Sequence, residues 1–185
     1  MIPPRLIEKL PFLKMSGKSL SYKYPSIPRF LIIYLMLMGL FLLLIGLEPI
    51  KKVLDINGIY TNMIIMLTAA VLKPFGIVQG IKGSILYLKG ISLDVRFGCN
   101  GLEAFLIYMV AILSFPASIR KRLYGISAGF VVIQFLNVIR IALLGLIGIY
   151  FKHFFYYFHI YVAQGIMIAI ALVLFLFWLN YATEK

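Results

Sequence analysis

The chain has 185 residues and carries 18 Lys and Arg against 6 Asp and Glu, a net charge of +12. Hydrophobic residues make up 63% of it and the mean hydropathy is +1.01, whereas only about half of a soluble domain is apolar. This composition excludes a soluble domain and predicts an all-α integral membrane protein. Its positive charge is then typical of cytoplasmic helix ends that face anionic lipid, rather than of a surface that binds nucleic acid.

The first 29 residues predict a basic cytoplasmic tail. They contain six Lys or Arg against one Glu, and five prolines that interrupt any long helix. No apolar core followed by a small-residue cleavage site is present, so we expect no cleavable signal peptide. The first membrane helix is expected to serve as an uncleaved anchor.

Residues 30–181 are predicted to form a single membrane domain. Four apolar runs read as transmembrane helices, and they lie at about 30–47, 101–116, 123–150 and 159–181. The segment 56–76 is apolar at its centre but contains several Asn and Thr residues, so it either spans the bilayer or lies in its interface. We therefore expect four to five spans, and favour four with a cytoplasmic N-terminus.

Between these helices, residues 80–98 predict a small extracytoplasmic β-hairpin. Two short β-type runs, ILYLK and ISLDVR, are separated by a glycine. Such a hairpin should lie outside the hydrocarbon, where water can satisfy its edges.

The dense basic triplet at 120–122 is predicted to be a cytoplasmic loop, and this orients the helices around it. Cys99 begins the helix that descends to the triplet, so it lies at the outer face. Arg140 is 17 residues along the next helix, about 26 Å at ~1.5 Å per residue, and thus also near the outer surface. His159 begins the last span at the same surface. The topology therefore predicts that a thiol, a guanidinium and an imidazole reach one depth.

Cys99 is the single cysteine of the chain, which excludes an internal disulfide and a cysteine-cluster metal site. It lies between Gly98 and Gly101, which allow the backbone to bend. The helix that starts here directs free N–H groups and its positive dipole end at the thiol, which predicts a lowered thiol pKa and a nucleophilic thiolate. The alternative is an inert buried cysteine.

Arg140 is the second candidate, because an arginine inside an apolar helix is costly and usually functional. Asn137 lies three residues earlier on the same face and can orient it. His159 is favoured over His153 because it begins a span. Glu103 lies one turn below Cys99 and is predicted to complement the helix dipole or to pair with Arg140.

Together these groups suggest acyl transfer, with the thiolate attacking a carbonyl, the imidazole moving protons and the guanidinium stabilising the oxyanion. No metal-ligand cluster and no phosphate-binding loop are evident, so no metal and no cofactor are expected. Two alternatives stay open. One is a membrane acyltransferase acting on lipid, and the other is a non-enzymatic membrane subunit or transporter in which Arg140 and Glu103 form a buried ion pair.

The motifs GISLDVRFGCNGLEAF, FLNVIRI and FHIYVAQ resemble those of the exosortase/archaeosortase family of membrane cysteine transpeptidases. The resemblance runs from about residue 67 to 180 and includes VLKPFGI upstream of the hairpin. It implies that Cys99 is the nucleophile, His159 the general acid and base, and Arg140 the stabiliser of the oxyanion or thiolate. The supporting residues that go with these motifs are Asn100, Gly101, Glu103 and Asn137.

This resemblance implies a sorting enzyme. It would sit in the bacterial inner membrane as a multi-pass protein, with its active site facing the periplasm or outside. Its partners would be membrane lipid, an acceptor molecule and secreted proteins whose C-terminal tail holds a motif, a transmembrane helix and a basic cluster. Compact length, GCNGLEAF and FPASIRKR most resemble the short exosortase H type, which is associated with an IPTLxxWG-type tail.

Overall fold

The structure is a computed structural model that describes residues 26–47, 56–95 and 99–184. The predicted basic tail, 1–29, therefore lies almost wholly outside the described residues, as do 96–98 of the predicted hairpin segment. In the described part, helices surround a short central helix and a small antiparallel sheet packs against one end. The prediction of an all-α membrane protein with a small β element is confirmed.

Six α-helices can be assigned in the described ranges. They are α1 Ile27–Gly46, α2 Thr61–Leu72, α3 Leu102–Ser114, α4 Ile119–Tyr150, α5 Lys152–Tyr157 and α6 Gln164–Thr183. A π-helical turn, Ile56–Tyr60, precedes α2, and a second, Phe158–Ala163, joins α5 to α6. A 3-10 turn, Lys73–Phe75, follows α2.

Four helical segments are long and apolar enough to cross a membrane: Ile27–Leu44, Gly58–Phe75, Ile119–Tyr150 and Tyr161–Thr183. The chain is therefore a multi-pass membrane protein. By length, the segment around α2 qualifies, whereas α3 has 13 residues and is shorter than a full span. From the sequence, 101–116 was expected to span the membrane, and 56–76 was expected to span it or to lie in its interface. The number of crossings stays a prediction.

The short helix α3 is central because its residues are buried on several sides by α1, α4 and α6. Its neighbours approach closely through glycines of α4. A side chain at Gly129 would collide with the ring of Tyr108, and one at Gly125 with the indole of Trp178. Close helix approach through small residues is typical of membrane bundles.

The segments at the two ends of α4 are both helical, and the first of them differs from the sequence-based expectation. The basic triplet 120–122 is not a loop but the first turn of α4, because Ser118 caps the helix by accepting a hydrogen bond from the Lys121 backbone N–H at 3.5 Å. The aromatic segment KHFFYYF is helical through α5 and enters the second π turn directly.

The β element has three strands rather than the two of a hairpin: β1 Val78–Lys82, β2 Ile85–Leu88 and β3 Ile91–Asp94, in the order β1-β2-β3. The expected hairpin is β2 and β3, joined through Gly90 at φ +90°. The strand β1 was not expected because Gly80 and an irregular register near Val78 weaken its pattern.

One face of the sheet is apolar and covers the second half of α4. Leu86, Leu88 and Leu93 are buried there against Ile141 and its neighbours, while Tyr87 on the opposite face is exposed. The sheet thus places its third strand, and the Cys99 turn beyond it, over the outer part of α4.

Candidate active site

The turn that carries Cys99 is tied to two helices by Asn100, whose side chain is fully buried. Its Oδ1 accepts a hydrogen bond from the Leu102 backbone N–H at 3.1 Å, and its Nδ2 donates to Thr61 Oγ1 at 3.4 Å. The Tyr60 hydroxyl donates to the Asn100 carbonyl oxygen at 3.3 Å. Asn100 therefore satisfies an N–H at the start of α3 and anchors the turn that carries Cys99 on α2.

Gly101 is required for two reasons. Its φ of +79° lies in the left-handed region, which side chains disfavour. A Cβ at this position would also lie 2.7 Å from Cγ of Asn137, which is too close for any real contact. The sequence Cys-Asn-Gly thus brings the turn that carries Cys99 directly onto α4, one turn before Arg140.

His159 lies in the second π turn, and its ring faces the thiol. Both ring nitrogens, Nδ1 and Nε2, are 3.9 Å from Cys99 Sγ. The ring stacks on Phe155, with centroids 5.9 Å apart and planes 2° from parallel. This stacking restrains the ring plane, and the two nitrogens lie at equal distances from the sulfur.

Arg140 is 8% exposed and reaches three side chains. Its Nη2 donates toward Cys99 Sγ at 3.9 Å and to Gln164 Oε1 at 3.4 Å, and its Nη1 donates to Asn137 Oδ1 at 3.4 Å. The guanidinium is therefore positioned from two sides and presented to the sulfur. Its neighbour Asn137, predicted to orient it, does contact it.

Gln164 is a site residue that the sequence analysis missed. Its Nε2 donates to Glu103 Oε2 at 3.0 Å while its Oε1 accepts from Arg140. It lies five residues after His159, a spacing that places two residues on different faces of an α-helix. The intervening π turn bonds i to i+5, which brings residues five apart about one turn apart.

Glu103 is therefore coupled to Arg140 through Gln164. The carboxylate lies in the first turn of α3 and also anchors the amide that contacts the guanidinium. The alternative of a plain Arg140–Glu103 ion pair does not describe this arrangement, because the amide stands between the two charges.

Burial dominates the electrostatics of the reactive pair. It raises the pKa of the Cys99 thiol, an effect that the charge of Arg140 opposes and that of Asp94 reinforces. Burial also lowers the pKa of His159, and Arg140 lowers it further. The expectation of a lowered thiol pKa was wrong, because desolvation of the thiolate outweighs the nearby positive charge. The resting pair is thus a neutral thiol beside a neutral imidazole.

Two buried donors at the site have no acceptor among the described residues. They are Arg140 Nε and Asn137 Nδ2. Buried donors without partners are costly in a folded protein, and a ligand or a reacting group that accepts from them removes this cost. Arg140 therefore retains capacity to bind a further negative oxygen.

A cavity of about 150 Å³ opens beside the thiol. Cys99 and His159 line it together with Ile141, Leu144 and Phe155, and the strand residues 92–95 form its remaining wall. His153 is not among its lining residues: it is exposed and packs its ring edge against Phe154. Of the two histidines, His159 is thus the one that meets the thiol.

No group of three or more His, Cys, Asp or Glu side chains within the described ranges is arranged to hold a metal ion. The chemistry available at the site is therefore that of a thiol whose sulfur lies 3.9 Å from the nitrogens of an imidazole and 3.9 Å from a guanidinium nitrogen. This set can support nucleophilic attack on a carbonyl with proton transfer and charge stabilisation.

Comparison with models of protein families shows which family the chain belongs to. Residues 26–178 match the model of the transmembrane exosortase family. The chain belongs to this family. The exosortase match includes every residue of the site described above, and it begins well before residue 67, where the sequence resemblance started. A search of curated proteins and a search of solved structures found no match.

Proposed function

We propose that this exosortase is a membrane-embedded cysteine protease and transpeptidase that removes the C-terminal sorting tail of secreted proteins. The observation that carries the proposal is the convergence on Cys99 Sγ of the His159 ring and Arg140 Nη2, each 3.9 Å away. Such distances are typical of a catalytic site without substrate, where hydrogen bonds are long and shorten in the complex.

The neutral state of the pair suggests how the thiol is activated. As Sγ attacks the carbonyl carbon of the scissile amide, the thiol proton passes to the facing nitrogen of His159. The carbonyl oxygen becomes an oxyanion and accepts a hydrogen bond from Arg140. The resulting imidazolium then gives its proton to the leaving amine nitrogen, the C–N bond breaks, and a thioester with Cys99 is left.

The second half of the reaction returns the enzyme to its starting state. An acceptor amine or water loses a proton to His159 as it attacks the thioester carbonyl. Collapse of the oxyanion breaks the C–S bond, and the imidazolium returns its proton to the sulfur. With an amine acceptor the product is an amide, and with water it is a carboxylic acid.

The same proposal includes the setting of the enzyme. Short basic segments near helix ends favour the cytoplasm, so the 120–122 end of α4 is assigned to that side and Cys99 to the periplasmic or outer side of the bacterial inner membrane. The substrates are secreted proteins whose tail combines a motif, a membrane helix and a basic cluster. An IPTLxxWG-type motif is the first to test, because the sequence resembles the short exosortase H type, which is associated with that motif.

The experiment is to coexpress the full chain with a secreted reporter that carries such a tail. We expect loss of the tail with the native protein and no detectable processing with Cys99→Ala, which lacks the nucleophile. Immunoblotting of the reporter measures this, and blotting of the membrane fraction controls for enzyme amount. Equal processing by native protein and Cys99→Ala would refute the proposal, and a lipid chain on Cys99 instead of a peptide would favour the acyltransferase alternative.

A further inference from the structure

The cavity beside Cys99 runs along the edge of a β-strand. Four consecutive residues line it: Ser92, Leu93, Asp94 and Val95. Side chains alternate between the two faces of a sheet along a strand, and here Leu93 is buried while Ser92 is exposed on the opposite face. A cavity bordered by consecutive residues from both faces therefore lies against the backbone edge of β3.

This edge is the outer one of the sheet. In the described part of the chain β3 pairs with β2 alone, since the strand order is β1-β2-β3. The other edge belongs to β1, none of whose residues lines the cavity. The edge of β3 is thus the one that shares a cavity with the nucleophile.

The register decides which backbone groups point into the cavity. The Val95 backbone N–H donates to the Ser84 carbonyl oxygen at 2.8 Å, so these two residues are a hydrogen-bonded pair. Hydrogen-bonded and non-hydrogen-bonded pairs alternate in an antiparallel ladder. Tyr87 and Ser92, which are opposite each other, are then a non-hydrogen-bonded pair. The N–H and C=O of Ser92 consequently point away from β2 and toward the cavity side.

We propose that the segment of substrate around the scissile bond binds as an added strand on β3, with its main chain paired to the N–H and C=O of Ser92. This inference rests on the proposed function and specifies how that function selects an extended peptide. Pairing with an exposed strand edge holds a peptide by its main chain, while alternate side chains enter pockets. A strand placed on β3 continues to Cys99, which lines the same cavity.

The two walls of the cavity then predict a period of two in substrate recognition. Side chains directed to the bundle meet Leu93, Ile141 and Leu144, which are apolar. Side chains on the other side share the face of Ser92 and Asp94, both exposed. An extended substrate is therefore selected at alternate positions for apolar side chains.

The first test removes one N–H from the edge. Ser92→Pro deletes the outward donor without removing a ladder bond, because the Ser92 N–H does not point to β2; proline is tolerated at such edge positions. Its reference is Ser92→Ala, which loses the hydroxyl but keeps the N–H. We expect the full-length protein in proteoliposomes to cleave the tail at least about tenfold more slowly as Ser92→Pro than as Ser92→Ala.

A matched control lies on the opposite edge. Ile81 of β1 is opposite Leu86 of β2. The backbone N–H and C=O of Leu86 point toward Leu93 of β3 and therefore away from β1. The N–H of Ile81 consequently points out of the sheet, as that of Ser92 does. Ile81→Pro makes the same backbone change away from the cavity and should cleave at the wild-type rate. The rate of Cys99 alkylation by iodoacetamide, unchanged in Ser92→Pro, would show that the reactive group itself is intact.

The second test leaves the protein unaltered. Wild-type enzyme is given synthetic peptides with the IPTLxxWG-type motif, alanine at each x, and one N-methyl group moved along the backbone. We expect cleavage to fall at every second position, since alternate N–H groups of an added strand face β3. Equal loss of cleavage at every N-methyl position, or equal rates for Ser92→Pro and Ser92→Ala, would overturn the inference. The proposed function would still stand in that case if cleavage depended on Cys99. Cleavage unaffected by Cys99→Ala would overturn both.

Discussion

The two ends of α4 are built differently, although they belong to one helix. At its beginning, polar groups are bonded at short distances: the Tyr108 hydroxyl donates to the Gly125 carbonyl oxygen at 2.9 Å, and Trp178 Nε1 donates to the Lys121 carbonyl oxygen at 3.0 Å. Near its end, Arg140 contacts its partners at 3.4 to 3.9 Å. The contacts of the Arg140 guanidinium are therefore longer than these two bonds that hold the beginning of α4.

The difference separates stability from reactivity. Short bonds and close ring packing at Gly125 and Gly129 fix the helices to one another. In the proposed mechanism, the longer contacts around Arg140 leave its guanidinium free to strengthen a hydrogen bond to the oxyanion as that charge develops, which lowers the reaction barrier. We therefore expect changes at the beginning of α4 to affect folding, and changes near its end to affect rate.

Among changes in α4, the largest expected effect comes from Arg140. Replacing it by alanine removes the proposed oxyanion donor and should lower kcat by about 10²–10³-fold, the usual cost of losing such a group. Arg140→Lys keeps the charge but not the planar donor, so its kcat should lie between those of wild type and Arg140→Ala. Initial rates of tail cleavage in proteoliposomes measure this.

The matched control is Arg122→Ala in the first turn of the same helix. Arg122 Nη2 donates to the Phe115 carbonyl oxygen at 2.8 Å, so its loss should lower thermal stability but not kcat per folded molecule. If Arg122→Ala slowed cleavage as much as Arg140→Ala, the two ends would not differ in role.

The second effect is on the pH dependence of cleavage. His159 must be neutral to accept the thiol proton, and its pKa is lowered by burial first and by Arg140 second. The value of kcat/KM should thus fall about tenfold per pH unit only below the ordinary pKa of histidine. In Arg140→Gln this acid limb should move to higher pH, because one cause of the lowered pKa is gone. A limb at the same pH in both proteins would argue against this assignment.

A smaller effect is expected for Gln164, which positions Arg140 without facing the sulfur itself. Gln164→Ala should lower kcat by about tenfold, since one of the two contacts that orient the guanidinium is lost. Gln164→Glu retains an acceptor for Arg140 but places a second carboxylate beside Glu103 in place of the amide donor, so it should restore only part of the rate. Thermal unfolding of both variants close to wild type would separate positioning from a folding defect.

The smallest effect on catalysis is expected from Tyr108→Phe. This change removes the hydroxyl bonded to Gly125 but keeps the ring that fills the space above Gly129. The free energy of unfolding should drop by about 1 kcal/mol, the usual net value of such a bond, while kcat stays unchanged. Unfolding in detergent and cleavage rates, measured on one preparation, test this prediction. A lower kcat in Tyr108→Phe would contradict it.

Much of the candidate site could be predicted without the structure. Hydropathy locates the helices, and the constant rise of a helix places Arg140 one bilayer depth from the basic triplet, near Cys99 and His159. The structure brings these three side chains together, and their roles stay predictions. The family is confirmed by the match over residues 26–178, whereas the short exosortase H type stays a proposal.

The sequence by itself determined the membrane class, the order of the helices and the chemistry available at one face, because these follow from local composition and spacing. Tertiary structure decided what depends on contacts between distant segments. It brought Gln164 between Glu103 and Arg140 through a π turn and raised the thiol pKa by burial. Each of these results from packing between residues far apart in the chain, which no local pattern encodes.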